Sequence, residues 1–379
     1  MKRYRFTLRP LTAVHVGTGE VVSPLEYSLL SSTRGEKLYA VFSPEKVVES
    51  LPTEEKQQFS QFCSSNNLIG LRKYLGEKVR MPAVLYACKV SKEFESEFDR
   101  RKDDINNALE VEIMYRNSKH APVVPGSSIK GAIRTALLNG RAKSMTNKDL
   151  LEEAAQEASR TKYDRKFQSK VLPFSSPNDD ALRALAIGDC TFSPKGSQLV
   201  SNMIMYHFSS RYDDPFTNKA AIFAEVLKGE LIDDSPIEAS CDLIIHNELF
   251  SAIVPQSSRA LHFRAGQKLY QKPISLEELL EACDVFYNNV FDSEYNRIIK
   301  SSDEVVKRGA DALAERIDSM NARGEHLIRI GRWSHVESVT VEGYRKPKSD
   351  KGYGKTRTLL QYNDNYHLMG WCAFAVEKE

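Results

Sequence analysis

The chain has 379 residues, 41% hydrophobic and 27% charged, with a formal net charge of +2. That length sets a prior of two to three domains and suffices to bury a core without staples, and the composition excludes a disordered or collagen-like chain. No run approaches the roughly 20 apolar residues of a membrane span, MKRYRFTLRP lacks the apolar stretch of a secretory signal, and the scattered cysteines form no CxxC pair, so a cytoplasmic protein without a zinc ribbon is expected.

Tyr4, Phe6 and Leu8 alternate with Arg3, Arg5, Thr7 and Arg9, the period of two that predicts a half-buried strand. HVGTGE (His15–Glu20) follows as a turn holding Gly17 and Gly19. His15 is a candidate acid–base group, because imidazole titrates near neutrality, and equally a hydrogen-bonded structural residue. Leu38–Phe42 predicts a second strand, and Ser43-Pro44-Glu45-Lys46 a helix start running to about Phe62. Val84–Val90 and Val111–Tyr115 read as strands and Asn117–Gly126 as loop.

Ala121–Leu138, APVVPGSSIKGAIRTALL, carries the strongest local signal. Ser127 or Ser128 is expected to cap a helix reaching about Asn139. Unpaired N–H groups and the dipole at a helix start suit a phosphate, and Gly126 permits close backbone approach. Lys130, Arg134 and Arg141 fall on one face, with Ile129, Ile133 and Leu137 on an adjoining apolar one. An ordinary amphipathic helix with a solvated basic stripe has the same pattern. GxxxxGK[ST] is absent, so no nucleotide cofactor is expected.

Charge is segregated around this segment. Ile113 to Lys148 holds seven basic residues and no acid, and Arg323 to Arg357 nine basic residues against four acids. Glu225 to Glu248 has seven acids and one base. A phosphate-binding surface needs such local positive potential, whereas the acidic run reads as a protein-facing or solvent surface.

Leu150–Ala158 is expected to be helical. Leu182–Phe192, Gln198–Phe208, Ala220–Leu227 and Ile237–Ile245 form a strand-rich middle. Ser275 with Glu278 fits a capping box that opens a long helix toward Lys300, and Asp303–Met320 predicts another. Leu327–Ile330 enters a turn at Gly331, and Leu368–Val376 is a closing strand. The irregular alternation predicts an α+β fold, divided loosely into 1–240 and 241–379. Between Arg329 and Thr358, Arg329, Arg332, Arg345 and Lys346 alternate with Trp333, Tyr344 and Tyr353. Cations among aromatics suit single-stranded RNA. A surface loop over Pro347–Lys355 and a core anchor at Trp333 are the plainer readings. The acid pairs Asp103-Asp104, Asp179-Asp180, Asp213-Asp214 and Asp233-Asp234 read as exposed turns, so no metal site is expected.

HVGTGE, VVPGSSIKGAIRTAL, LAIGDC (Leu185–Cys190), EVLKGE (Glu225–Glu230), TRT (Thr356–Thr358) and MGWCAF (Met369–Phe374), in this order, resemble the RAMP superfamily of CRISPR proteins. Within it they are most similar to the type III-A (Csm complex) subunit that caps the guide RNA 3′ end. The resemblance implies two ferredoxin-like (RRM-like) domains with helical insertions. It implies a non-catalytic, crRNA-binding subunit with other complex subunits as partners, chiefly the backbone RAMP subunit, and with host nucleases recruited for crRNA trimming. Carried over by position, Gly126, Ser127, Ser128, Lys130 and Arg134 would hold guide RNA, with His15 and Gly17 in a turn nearby. The Arg329–Arg332 turn matches the family's glycine-rich loop poorly, and no aspartate matches the one with which the backbone subunit cleaves RNA. The alternative is a metal-independent crRNA-processing endoribonuclease using His15.

Overall fold

The computed structural model describes the chain outside residues 105–108, 147–148, 150–151, 153–166, 173, 175–179, 209–214, 234, 247–272, 345–353, 355 and 379. Its strands run β1 (Lys2–Pro10), β2 (Gly17–Val22), β3 (Tyr27–Ser31), β4 (Lys37–Phe42), β5 (Val84–Val90), β6 (Val111–Met114), β7 (Val123–Val124) and β8 (Leu185–Ile187). They continue with β9 (Cys190–Thr191), β10 (Gln198–His207), β11 (Phe216–Leu227), β12 (Ala239–Ile245), β13 (His326–Arg329), β14 (Thr356–Tyr362), β15 (Asn365–His367) and β16 (Trp371–Lys378). The helices are α1 (Pro44–Ser50), α2 (Thr53–Ser64), α3 (Leu68–Lys78), α4 (Lys92–Arg101), α5 (Gly126–Ser144), α6 (Leu276–Arg297), α7 (Glu304–Ala322) and α8 (His335–Ser338).

The alternation in β1 does what its period requires. Tyr4, Phe6 and Leu8 are buried on one face, and Arg3 and Arg5 are exposed on the other. β1 lies inside a five-stranded sheet ordered β13-β16-β1-β12-β8, antiparallel throughout. Phe6 stands opposite Cys241 on β12 and Val376 on β16, and its ring stacks on Phe374 at 5.1 Å. Ile129, Ile133 and Leu137 of α5 and Leu279, Cys283 and Phe286 of α6 join Phe6 and Leu8 in one core. Each such fully buried large apolar side chain stabilises by about 1.5–3 kcal/mol.

A nine-stranded mixed sheet follows the path β2-β6-β11-β10-β5-β4-β3, with β14 on β10 and β15 on β14. One edge of β10 pairs with β11, and the other is divided between β5 and β14. Tyr27, Tyr39, Phe94 and Phe223 fill its core beneath α4.

The fold is α+β, as the sequence indicates. The expected helix from Pro44 to Phe62 is broken into α1 and α2, because Pro52 holds Leu51 extended at ψ 143°. Ser275 caps α6 as expected, accepting from Glu278 N, but the Glu278 carboxylate pairs with Arg141 instead of closing the capping box. The boundary at 240/241 falls inside β12, and β1 pairs with both β12 and β16, so both ends of the chain share one sheet. The expected helix Leu150–Ala158 lies outside the described residues, apart from Glu152.

Several charges lie inside. Glu294 accepts from Arg329 Nη1 at 3.0 Å and from Arg357 Nε, while Arg357 Nη2 donates to Glu337 at 3.0 Å. The Arg329 guanidinium also covers Trp371, 4.6 Å from its ring centre. The acidic run is not the uniform surface expected of it, because Glu225 and Glu230 are buried. Glu225 takes Arg116 (2.8 Å), the Tyr86 hydroxyl (2.7 Å) and the Met114 N–H (3.1 Å). Removing one partner from a buried ionic cluster costs more than the cluster contributes, because the remaining charge stays desolvated. Glu294→Ala leaves Arg329 without its carboxylate and Arg357 with Glu337 alone, so unfolding in urea is expected to show a loss on the order of 3–5 kcal/mol.

Candidate nucleic-acid interface

Three segments far apart in sequence meet in one open groove of about 590 Å³. Val16, Gly17 and Gly19 form one wall. Ser128, Gly131, Ala132 and Thr135 of α5 form the second. Ile330, Gly331, Arg332 and Ser334 form the third, with Arg329 contributing to the lining. The backbone fixes this convergence: Arg332 N–H donates to the His15 carbonyl at 2.8 Å. Gly331 makes it possible. Its φ is +90°, and a Cβ there would lie 2.4 Å from the His15 oxygen, so any other residue would push the two walls apart.

Helix α5 presents three faces. Ile129, Ile133 and Leu137 enter the core. Ser128, Gly131, Ala132 and Thr135, at i, i+3, i+4 and i+7, turn a stripe of small side chains to the groove. The basic residues lie on a further face, and each has an internal partner. Lys130 Nζ donates to the Leu185 carbonyl at 2.7 Å, Arg134 pairs with Asp180 at 2.7 Å, and Arg141 pairs with Glu278 at 2.9 Å. None of the three lines the groove.

The helix start differs from the expected one. Pro125 is the N-cap, and neither Ser127 nor Ser128 caps through its side chain. The Gly126 N–H instead donates to the carboxylate of Asp189 at 2.8 Å. A side-chain anion from LAIGDC thus occupies the position at which a helix start attracts a phosphate. Gly126 is wedged against that same loop, where a Cβ would come within 2.1 Å of the Ile187 oxygen. Ser127 is exposed, and Ser128 is half-buried on the groove.

His15 lies under the groove and is 1% exposed. Its Nδ1 lies 2.7 Å from the Glu225 carbonyl, which can only accept, so Nδ1 carries the proton and Nε2 the lone pair. Among the described residues Nε2 has no hydrogen-bond partner; it sits 3.8 Å from the Glu112 carboxylate and closely overlies Gly17. Burial, opposed by the Glu225 hydrogen bond, lowers the imidazole pKa to about 4. Trp333 packs on His15 at 5.1 Å and reaches the core around Leu199 and Met369, which supports the anchor reading. Arg332 is exposed and pairs with Glu112, and its guanidinium stands 5.1 Å from the Trp333 ring.

The structure therefore gathers Gly17, Ser128, Arg329 and Arg332 at one groove, with His15 and Trp333 as its underlayer. Arg329 lines it from a buried position, with Nη2 unpartnered among the described residues. Lys130 and Arg134 are directed elsewhere, and Arg345 and Lys346 lie outside the described residues. Sequence reasoning missed Gly131, Ala132 and Thr135, whose spacing along with Ser128 was the available signal. Of the acid pairs, Asp103 faces Lys73, Asp180 faces Arg134 and Asp233 faces Lys228. Asp179, Asp213, Asp214 and Asp234 lie outside the described residues, among which no group of three or more His, Cys, Asp and Glu could hold a metal ion. No helix among those residues is long and apolar enough to cross a membrane.

The RAMP superfamily matches residues 7–310. Among solved structures, the chain is similar to one in the cryo-EM structure of a Csm–crRNA–target RNA ternary complex of a type III-A CRISPR-Cas system, at TM-score 0.64 and 18% identity. That match covers 98% of this chain and all of the other. The crystal structure of T. onnurineus Csm5 is similar at TM-score 0.57 and 16% identity, over 97% of this chain and 99% of that one. No curated protein matches the chain in sequence.

The buried imidazole makes stability depend on pH. Unfolded histidine takes its proton near 6.5, and His15 in the folded protein only near 4, so the unfolded chain binds the extra proton between those values. Its contribution is complete above about pH 6.5 and falls away as the pH drops toward 4, by roughly 3 kcal/mol in all. His15→Gln is expected to flatten the fall in stability between pH 7 and 4.5 relative to wild type, measured by urea unfolding. His367, which burial lowers to about 4, leaves a residual slope in the variant.

Proposed function

Because the chain belongs to the RAMP superfamily, we propose that it is a guide-RNA-binding subunit of a type III-A CRISPR effector complex. In this reading it caps the 3′ end of the crRNA and supports crRNA maturation and antiviral defence, and it works in the cytoplasm. The observation that carries the reading is the convergence of HVGTGE, the α5 segment and the Arg329–Arg332 turn on one groove. Similarity over nearly the whole chain to Csm5 and to a chain of a crRNA-bound Csm complex supports it. Its partners are then the crRNA, the other Csm subunits, chiefly the backbone RAMP subunit, and host trimming nucleases.

The chemistry suits a backbone ligand. Glycines and small side chains on all three walls let a sugar–phosphate chain approach closely. Ser128 offers a hydroxyl on the groove, Ser127 an exposed one beside it, and Arg332, which also pairs with Glu112, an exposed guanidinium for phosphate. Lys130 and Arg134 act indirectly, by fixing Gln168, Asp180 and Leu185 against α5. Gly126 and Gly17 let the walls close. The order β16-β1-β12-β8, with α5 between β1 and β8 in the chain and α6 between β12 and β16, each among further inserted elements, supports a ferredoxin-like unit extended by β13.

The scaffold reading is favoured over cleavage by His15. That imidazole is neutral at physiological pH and is covered by Gly17 and Trp333, so a substrate hydroxyl has no open path to Nε2.

Affinity purification of the protein from its host, followed by sequencing of the bound RNA, tests the reading directly. Repeat-spacer guides with ragged 3′ ends and co-eluting Csm subunits are expected, and their absence from a host expressing them would reject it. Gly131 is exposed, with open space around it, so Gly131→Asp places a carboxylate in the groove without strain. It is expected to weaken crRNA binding on the order of tenfold at unchanged thermal stability. Arg332→Ala should reduce the salt dependence of binding by about one phosphate contact, whereas the double variant Lys130→Ala, Arg134→Ala should lower stability and leave the salt slope unchanged. Equal RNA binding by wild type and Gly131→Asp would remove the groove from the interface.

A further inference from the structure

Cys190 on β9 and Cys241 on β12 hold their sulfurs 3.4 Å apart as free thiols, 51 positions apart in the chain. Cys190 is fully buried, while Cys241 is partly exposed. The two strands are held together locally by the Gly188 N–H, which donates to the Asp242 carbonyl at 2.9 Å. We propose that Cys190 and Cys241 are a peroxide-oxidisable thiol pair, in which Cys241 is the attacking cysteine and Cys190 the resolving one. This inference is independent of the RNA-binding reading.

Geometry divides the roles. Only Cys241 can meet a small oxidant, and Cys190 stands behind it within reach of a single-bond rearrangement. A disulfide needs the sulfurs at about 2.05 Å, so they must close by roughly 1.4 Å, within the reach of side-chain rotation on adjacent strands. Cys190 donates its S–H to Cys241, which holds the Cys241 thiol below its usual range, while the same contact and burial hold Cys190 above. The other buried cysteines, Cys88, Cys283 and Cys372, are raised by burial.

The steps balance with hydrogen peroxide as the oxidant. The Cys241 thiolate attacks one peroxide oxygen, the O–O bond breaks, and the hydroxide released takes a proton to become water. Cys241 is then a sulfenic acid. The Cys190 sulfur attacks the Cys241 sulfur, an S–S bond forms as the S–O bond breaks, and the hydroxide lost joins the Cys190 proton as a second water. Two thiols and one peroxide give one disulfide and two waters, with two electrons passing from sulfur to peroxide. The new bond ties β12 to the residue beside Asp189, whose carboxylate holds the start of α5.

The test treats the full-length wild-type protein with a small excess of hydrogen peroxide, alkylates the remaining thiols in denaturant, and maps the peptides without reduction. Exposed Cys63 reports that the oxidant acted. A Cys190–Cys241 cross-linked peptide that dithiothreitol returns to two free thiols is expected, together with a reversible rise in melting temperature. Cys241→Ser should abolish the cross-link and leave Cys190 alkylatable. The proposal is overturned if, with Cys63 oxidised, both cysteines are recovered alkylated, or if Cys241 appears as sulfinic acid without a cross-link. The wild-type map decides the matter even should the variant fold poorly.

Discussion

The fold hangs on the backbone of residues 10–16, where the chain leaves β1 in one sheet and reaches β2 in the other. Leu11 and Thr12 N–H groups donate to the Trp371 carbonyl, and Gly370 N–H donates to the Ala13 carbonyl. Val14 pairs both ways with Leu227, while Glu230 and Leu231 donate to Pro10 and Leu11. His15 takes Arg332, and Val16 takes Tyr115. Leu11, Ala13 and Val14 are fully buried, so polar groups in this run need protein partners, and four distant stretches, around 115, 227–231, 332 and 370–371, supply those named. No single contact here is strong, since a hydrogen bond contributes about 1 kcal/mol net, but each would cost more if left unmade. The groove is a by-product of this clasp, because the segment that joins the sheets also carries Val16 and Gly17 to its wall.

That dependence explains what the sequence could and could not disclose. Local periods were legible: the alternation of β1, the Ser275 cap and the apolar faces of α5, α6 and α7 all follow from spacing over a few residues. What failed is long-range. The basic stripe of α5 meets Leu185, Asp180 and Glu278, which lie 55, 46 and 137 positions away, and no window around Lys130 contains them. The serines do not cap because Pro125 is already the N-cap and Asp189 arrives from another strand pair. The strands β14 and β15 were missed, since no element was read between the expected loop at Pro347–Lys355 and the closing strand at Leu368.

Charge counting failed for a related reason. Segregated runs of acid and base suggest two opposed surfaces, but among the described residues several of these charges are turned inward and held in ion pairs. Arg116 from the basic run lies on Glu225 from the acidic run, and Arg9 meets Glu230. Arg329 and Arg357, from the second basic run, share Glu294 of α6. Such pairs add little net stability, because desolvation offsets most of their attraction. They fix orientation instead: Arg329 holds the turn before Gly331, and Arg116 with Glu225 holds the carbonyl that fixes the His15 tautomer.

What remains for a ligand is the residue of this cancellation. The groove holds one exposed guanidinium, Arg332, itself paired with Glu112, above the buried Arg329, among glycines, hydroxyls and short side chains. A polyanion held there would depend less on counterion release than on the closeness of backbone to backbone, and its affinity would fall gently with salt. Shape rather than charge would set which strand conformations fit, because the walls are fixed by contacts that leave no space for a Cβ at Gly331 or Gly126. A surface of that kind suits a strand held in one geometry whatever its base sequence, since contacts to phosphate and sugar position a strand without reading it.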